Sequence, residues 1–269
     1  MINLLKLIEK EKEKEKGYSD ANASAKVCQD LVLKAIAESP MCRNVTIKGG
    51  VVMRSKTNNI RRATQDLDID FIKYSLSEES IDLFIDRLNS IQGIKFVRIG
   101  KIEELKQQDY HGKRVFIQII DDAGYRLNSK IDLGVHKNID IEQEVYCFDI
   151  SFSEDGASLL INTNEQMFVE KLRSLLKFGP VSTRYKDIFD MYYLIRYINQ
   201  DDLKKCLSYY IYQDKGMYEN NIDDIIKRVR MTFNNKMYQR RIQTSDKKWL
   251  DENVNDIFNE LISFLETIV

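Results

Sequence analysis

Hydrophobic periodicity changes once along this chain, near residue 165, and that change narrows the fold more than any other feature. Upstream, runs rich in β-branched residues alternate apolar and polar positions at 45–48, 67–71, 94–99, 115–120, 127–135 and 145–152, as half-buried strands do. Helical stretches at 23–38 and 77–91 lie among them, the second with Ser77 as N-cap and Glu78 and Glu79 in its first turn. Downstream the alternation stops, and residues 167–178, 187–198, 201–212, 222–233 and 249–268 carry apolar positions at helical spacing. The pattern predicts an α+β fold in two parts: a sheet-bearing domain over 1–165 and an all-helical domain over 166–269. Only Pro40 and Pro180 interrupt the 269 residues as prolines. The alternating charges at 9–16 read as the solvated end of a further helix.

The 67–71 run carries the sharpest chemical signal. Asp66, Asp68 and Asp70 alternate with Leu67, Ile69 and Phe71. On a strand, residues two apart share a face, so the three carboxylates stand side by side and repel. A pair of divalent cations relieves that repulsion, and Mg²⁺ takes hard oxygen ligands while keeping positions open for phosphate. The competing reading is a solvated edge strand whose acids deter aggregation. Gly49 and Gly50 follow the 45–48 run, and a glycine pair there lets backbone N–H groups approach a phosphate. Asp132 is a lone acid among apolar neighbours, which is costly unless it is paired or metal-bound; it is placed to join Asp66 and Asp68. Asp70 is expected to be a structural neighbour. His111 and His136 are the two histidines and receive no role; His136 is expected at an exposed strand end.

The order Gly49-Gly50, then Arg62-x-Thr64-x-Asp66-x-Asp68, resembles the signature of nucleotidyltransferases of the DNA polymerase β superfamily. More narrowly, it resembles the AbiEii abortive-infection toxins and the related MenT toxins. Glu170-Lys171-Leu172 is similar to that family's helical E-K-L motif, and Arg184-x-Lys186-Asp187-x-x-Asp190-x-Tyr192-Tyr193-Leu194 to its R-x-x-D-x-x-D-x-Y-x-L motif. The resemblance spans residues 45–195. It implies a mixed β-sheet core with flanking helices, followed by a helical domain. It also implies transfer of a nucleoside monophosphate from an NTP with release of pyrophosphate, a tRNA 3′ end as acceptor, and a cognate antitoxin as partner. Carried over by position, Gly49 and Gly50 match the turn that cradles the triphosphate. Asp66 and Asp68 match the acids that bind two Mg²⁺ ions, with Mn²⁺ as the alternative metal. Asp132 matches the third acid, which helps activate the attacking hydroxyl. Lys171 matches a lysine that contacts the nucleotide phosphates, and Asp187 an acid required in the helical motif, with Asp190 one turn on competing for the role. The family commonly has Ser or Thr after the glycines, whereas this chain has Val51; Lys48, Arg54 or Arg62 is expected to compensate. Bland readings compete: a solvated lysine at Lys171, a first-turn helix acid at Asp187, and helix packing for Tyr192 and Tyr193.

Net charge is −1, from 41 Lys and Arg against 42 Asp and Glu. The balance conceals an uneven distribution. Residues 227–248 hold eight basic residues and one acid, a net +7, so the rest of the chain carries −8. Lys227, Arg228, Arg230, Lys236, Arg240 and Arg241, with Phe233, Tyr238 and Trp249 nearby, suit an RNA backbone and unstacked bases; a solvated helical face is the alternative. Apolar residues at 43% and charged at 31% exclude a disordered chain. The four cysteines lack CxxC spacing, which argues against a redox or zinc motif and for buried thiols in a reducing compartment. The first residues lack the apolar stretch of a signal peptide, and no run approaches a membrane span, so a cytoplasmic location is expected. The reading is a metal-dependent nucleotidyltransferase toxin acting on RNA. The alternatives are a protein or small-molecule acceptor, or a catalytically silent binding module.

Overall fold

The computed structural model describes residues 2–14, 18–105, 112–137 and 140–268; His111, Glu15 and Lys16 lie outside them. Two compact units result, Met1–Asn162 and Thr163–Val269. In the first, among the described residues, seven strands form one sheet: β1 (Val45–Lys48), β2 (Leu67–Phe71), β3 (Ile94–Leu105), β4 (Gly112–Asp121), β5 (Arg126–Val135), β6 (Glu144–Ile150) and β7 (Ser153–Ile161). Their spatial order is β3-β4-β5-β2-β1-β7-β6. The β2–β5 and β1–β7 pairs are parallel and the others antiparallel, so the sheet is mixed. Helices α1 (Leu4–Lys14), α2 (Asp20–Glu38), α3 (Gly49–Thr57) and α4 (Glu78–Arg87) accompany it.

Strand periodicity divides the sheet into two unlike faces. Register places Ile47 beside Ile69, Leu67 beside Ile131 and Val115 beside Ile131. Directly opposed residues share a face, so these side chains form one apolar surface together with Phe71, Leu133, Ile117 and Ile119, all of them buried. Helices α2 and α4 cover it with Val27, Leu31, Ile81 and Phe84. The Phe71 and Phe84 rings meet edge to face at 5.1 Å. Residues one position out of phase form the opposite, polar face.

The second unit is helical: α5 (Asn164–Phe178), α6 (Tyr185–Leu194), α7 (Gln200–Leu207), α8 (Ile222–Phe233), α9 (Lys236–Gln243) and α10 (Val254–Glu266). Its start is set by a capping box. The Gln166 backbone N–H donates to the Thr163 hydroxyl, and the Thr163 N–H donates to the Gln166 side chain, satisfying two otherwise orphaned donors. Phe233 and Phe258 stack at 3.9 Å in the core of this unit.

Several boundaries differ from the sequence expectation. The 145–152 run covers β6 and the reversal after it, because β7 begins with Ser153-Glu154-Asp155-Gly156, a segment without apolar alternation. The glycine pair opens a helix, α3, where only a turn was expected. Helix α9 escapes the periodicity test because it buries only Tyr238 and Ile242. The 249–268 stretch becomes helical only at Val254, and 201–212 finishes as a π-helical turn at Ser208–Tyr212. Of the cysteines, Cys28 and Cys206 are buried, Cys42 is intermediate and Cys147 is exposed, so burial does not extend to all four.

Because Phe71 joins the sheet to α4, Phe71→Ala is expected to lower the unfolding free energy by about 3–5 kcal/mol in urea titrations. Val145→Ala, at a position 70% exposed, is expected to change it by no more than about 0.5 kcal/mol.

Candidate active site

The polar face of the sheet gathers the acids singled out above. Register pairs Lys48 with Asp68, Thr46 with Asp70, Asp68 with Asp132, and Arg114 with Asp132. Strand β2 lies between β1 and β5, which removes the edge-strand reading of its acids. Each flanking carboxylate meets a cation of the chain. Lys130 Nζ lies 2.7 Å from Asp66 Oδ1, and Lys48 Nζ 2.8 Å from Asp70 Oδ1. Arg114 grips Asp132 with both arms, Nε to Oδ1 at 2.7 Å and Nη2 to Oδ2 at 2.8 Å, the bidentate geometry that only a guanidinium offers. Asp70, buried and ion-paired to Lys48, is a structural neighbour.

Asp68 stands at the centre of this group. Burial pushes its carboxyl up to about 6 from the ordinary 3.8; Lys48 opposes the rise, while Asp132, Asp66 and Asp70 add to it. The two glycines are explained by the same crowding. Gly49 adopts φ +68°, and a Cβ there would sit 2.3 Å from Asp68 Oδ2; a Cβ on Gly50 would sit 2.5 Å from Thr64 Oγ1. Absence of side chains thus lets the start of α3 close onto Asp68 and Thr64. Lys48, the N-cap of α3, makes no side-chain capping bond, so the first-turn N–H groups lack that partner beside Asp68. Val51 is buried in the core.

Of the cations expected to compensate for Val51, Lys48 stands opposite Asp68 in the sheet and pairs with Asp70. Arg62 is buried. Arg54 lies over the Tyr18 ring at 5.4 Å and lines a cavity with Glu11, Lys26 and Asp30; none of Asp66, Asp68 and Asp132 lines that cavity. His136 is buried, contrary to the exposed strand end expected for it, because its backbone N–H continues the sheet by donating to Phe71 O.

The second unit contains its own charged cluster. Lys171 on α5 reaches two acids of α6: Asp187 Oδ1 at 3.1 Å and Asp190 Oδ2 at 2.8 Å. Lys171 is only 8% exposed, which excludes the solvated-lysine reading. Asp187 occupies the first turn of α6, as the helix-acid reading has it, and also pairs with Lys171. Asp190 is completely buried and accepts a hydrogen bond from the Trp249 indole N–H at 3.1 Å. Tyr192 is buried, as helix packing requires, and Tyr193 lies 6.2 Å from the Trp249 ring.

Along the basic stretch, Lys227, Lys236, Arg240 and Arg241 are exposed. Arg228 donates instead to Leu176 O at 3.2 Å, and Arg230 pairs with Glu266. Phe233, Tyr238 and Trp249 are buried, so they serve the core and offer no face to an unstacked base.

Three participants carry no role in the sequence reading: Lys130 as the partner of Asp66, Arg114 as the partner of Asp132, and Trp249 as a partner of Asp190. Arg114 had an available signal. The β4–β5 hairpin pairs Ile120 with Arg126, and counting back from that turn sets Arg114 opposite Asp132. Trp249 had none, being 59 residues from Asp190.

Carboxylate oxygens alone form the donor set on the polar face, the chemistry a hard divalent cation takes. Among the described residues no three such side chains already converge on one point. Lys130 and Arg114 hold two of the acids, standing in for cationic charge. Asp68 has a raised affinity for a proton, first because it is buried and then because Asp132, Asp66 and Asp70 lie near it. The residues fit a divalent metal, provided the two ion pairs yield.

A raised carboxyl binds its proton more tightly in the fold than in the unfolded chain. Its stabilising contribution is therefore full below pH 3.8 and is lost as pH rises through about 6. In metal-free buffer, Asp68→Asn is expected to unfold at higher denaturant than the parent above pH 6, by about 1–2 kcal/mol. The two are expected to converge below about pH 4; equal stability throughout would contradict the crowding described for Asp68.

Among the described residues, no helix is long and apolar enough to cross a membrane. A search of curated proteins finds no match. The family profile described as nucleotidyl transferase AbiEii toxin, type IV toxin–antitoxin system, matches residues 31–260. That span includes the glycine pair, the acids of β2 and β5, the Lys171–Asp187–Asp190 cluster and the basic stretch, and with it the chain belongs to the AbiEii family of nucleotidyltransferase toxins.

Proposed function

We propose that this nucleotidyltransferase transfers a nucleoside monophosphate from an NTP to an RNA acceptor, a tRNA 3′ end, and that Mg²⁺ held by Asp66, Asp68 and Asp132 supports the reaction. The observation that carries the reading is Asp68, crowded by Asp132 and Asp66 beside the uncapped start of α3. Mn²⁺ has the same preference for oxygen and is the alternative ion. When bound, the metal neutralises phosphate charge and makes a coordinated hydroxyl easier to deprotonate.

The chain's own residues account for the rest of the chemistry. The attacking hydroxyl oxygen forms a bond to the α-phosphorus, the bond from that phosphorus to the bridging β-oxygen breaks, and pyrophosphate leaves. Asp132 orients the acceptor hydroxyl and accepts its proton as the oxygen attacks. First-turn N–H groups after Gly49 and Gly50 take phosphate oxygens, as helix N-termini do. Lys171 supplies positive charge to the departing pyrophosphate, and Asp187 holds it in place. Lys130 and Arg114 pair with Asp66 and Asp132, so these two acids would hold a cation only once those pairs had opened. Catalysis of this kind depends on positioning and charge neutralisation. Exposed Lys227, Lys236, Arg240 and Arg241 support a polyanionic acceptor. The type IV toxin–antitoxin family implies an antitoxin partner for the chain.

The deciding experiment incubates the protein with each labelled NTP, Mg²⁺ and either total tRNA or total cellular protein. Label is expected in tRNA, and Asp66→Asn or Asp68→Asn is expected to abolish it without unfolding the chain. Label in protein overturns the RNA acceptor. No label in either pool favours a small-molecule acceptor or a silent module, and near-normal transfer by either variant removes the metal assignment.

Salt provides a separate check. Binding of tRNA is expected to weaken steeply as salt rises, and Lys236→Ala, Arg240→Ala and Arg241→Ala together are expected to flatten the log–log slope by about 2. A flat response in the parent would remove the basic surface from the reading.

A further inference from the structure

The second unit keeps a carboxylate, an ammonium and an indole N–H in contact where water does not reach. Asp190 is 0% exposed and Trp249 1%. Trp249 Nε1–H donates to one Asp190 oxygen at 3.1 Å, and the other oxygen lies 2.8 Å from Lys171 Nζ. The side chain of Asp187 is 18% exposed and takes a second side of the ammonium at 3.1 Å. The two acids are therefore unlike. Asp187 meets solvent at the mouth of the cluster, while Asp190 lies beneath Lys171 and is anchored from behind.

We propose that Trp249 is a positioning residue for Lys171, acting through Asp190. A buried carboxylate must be hydrogen-bonded as well as paired to remain charged. The indole N–H meets part of that need and fixes the plane of the carboxylate, so one oxygen faces the ammonium. A flexible four-carbon stem would otherwise let Lys171 sample many positions. Phenylalanine would fill much of the same space without the donor, so the interior at 249 uses the hydrogen bond as well as the volume. Trp249 precedes α10 in a segment outside any helix, which frees it to approach α6 from a direction helical periodicity does not constrain. The inference rests on the phosphate role proposed for Lys171.

The test uses the full chain, inorganic tripolyphosphate with Mg²⁺ as a base-independent probe, and ¹⁵N-lysine NMR of the Lys171 ammonium, assigned through Lys171→Arg. Trp249→Phe is expected to shift that resonance and to weaken tripolyphosphate binding about tenfold, the ratio expected when a hydrogen bond to a charged group is lost. On a Lys171→Met background it is expected to add nothing, because a residue acting only through Lys171 has no effect once Lys171 is gone. Asp190→Asn retains the shape and an acceptor for the indole and is expected to reproduce the loss, which keeps the test decisive if Trp249→Phe folds poorly. Leu261→Ala empties the core within α10, away from Trp249, and is expected to lower stability without moving the Lys171 signal. An unmoved signal, or a loss that adds in full to that of Lys171→Met, overturns the positioning role. Unchanged binding by Lys171→Met overturns the phosphate role itself, and the inference with it.

Discussion

Crowding of carboxylates on one face of a sheet is the constraint from which most of the first unit follows. Like charges on neighbouring strands raise the energy of the fold unless positive charge stands close by. The chain meets the demand at three of its four acids with Lys130, Arg114 and Lys48. Asp68 has a raised affinity for a proton, set first by burial and then by its acidic neighbours, with Lys48 opposing. The glycines belong to the same constraint, since the start of α3 approaches Asp68 Oδ2 so closely that a methyl group would collide with it. The same ion pairs that relieve the repulsion hold Asp66, Asp132 and Asp70 in place on this face.

The second unit handles buried charge differently. There one ammonium is shared by two carboxylates, and the deeper of the two is held by an indole. Removing one partner from such a group leaves an uncompensated charge in a low-dielectric interior, so its members are structurally interdependent. The exposed cations of α8 and α9 carry no such obligation. Their neighbour Arg228 holds a backbone carbonyl, and Arg230, exposed like them, pairs with Glu266 at the surface.

Legibility in the sequence followed the range of the interaction involved. Strands β1 and β2 were read with the bounds they have, because their periodicity is local and their ends are marked by glycine or by charge. The alternation of Asp66, Asp68 and Asp70 likewise reported a shared face without any tertiary information. Strand β7 was missed because its first half is polar, and α9 because two buried residues are too few to define a face. Aromatic residues beside cations suggested base stacking, but Phe233, Tyr238 and Trp249 are interior. Composition near a charge run cannot distinguish a stacking platform from a core, since both use large flat side chains.

By itself the sequence determined the fold class, the change from sheet to helix, and the alternation that sets Asp66, Asp68 and Asp70 on one face, because each of these depends on spacing along the chain. Tertiary structure alone decided that β2 is central, that Lys130 reaches Asp66, that Gly49 is required by a side chain nineteen positions away, and that Asp190 belongs to Trp249. The physical reason is common to all four. Hydrogen bonds and ion pairs act over about 3 Å in space, and chain separation carries no information about which groups folding will bring that close.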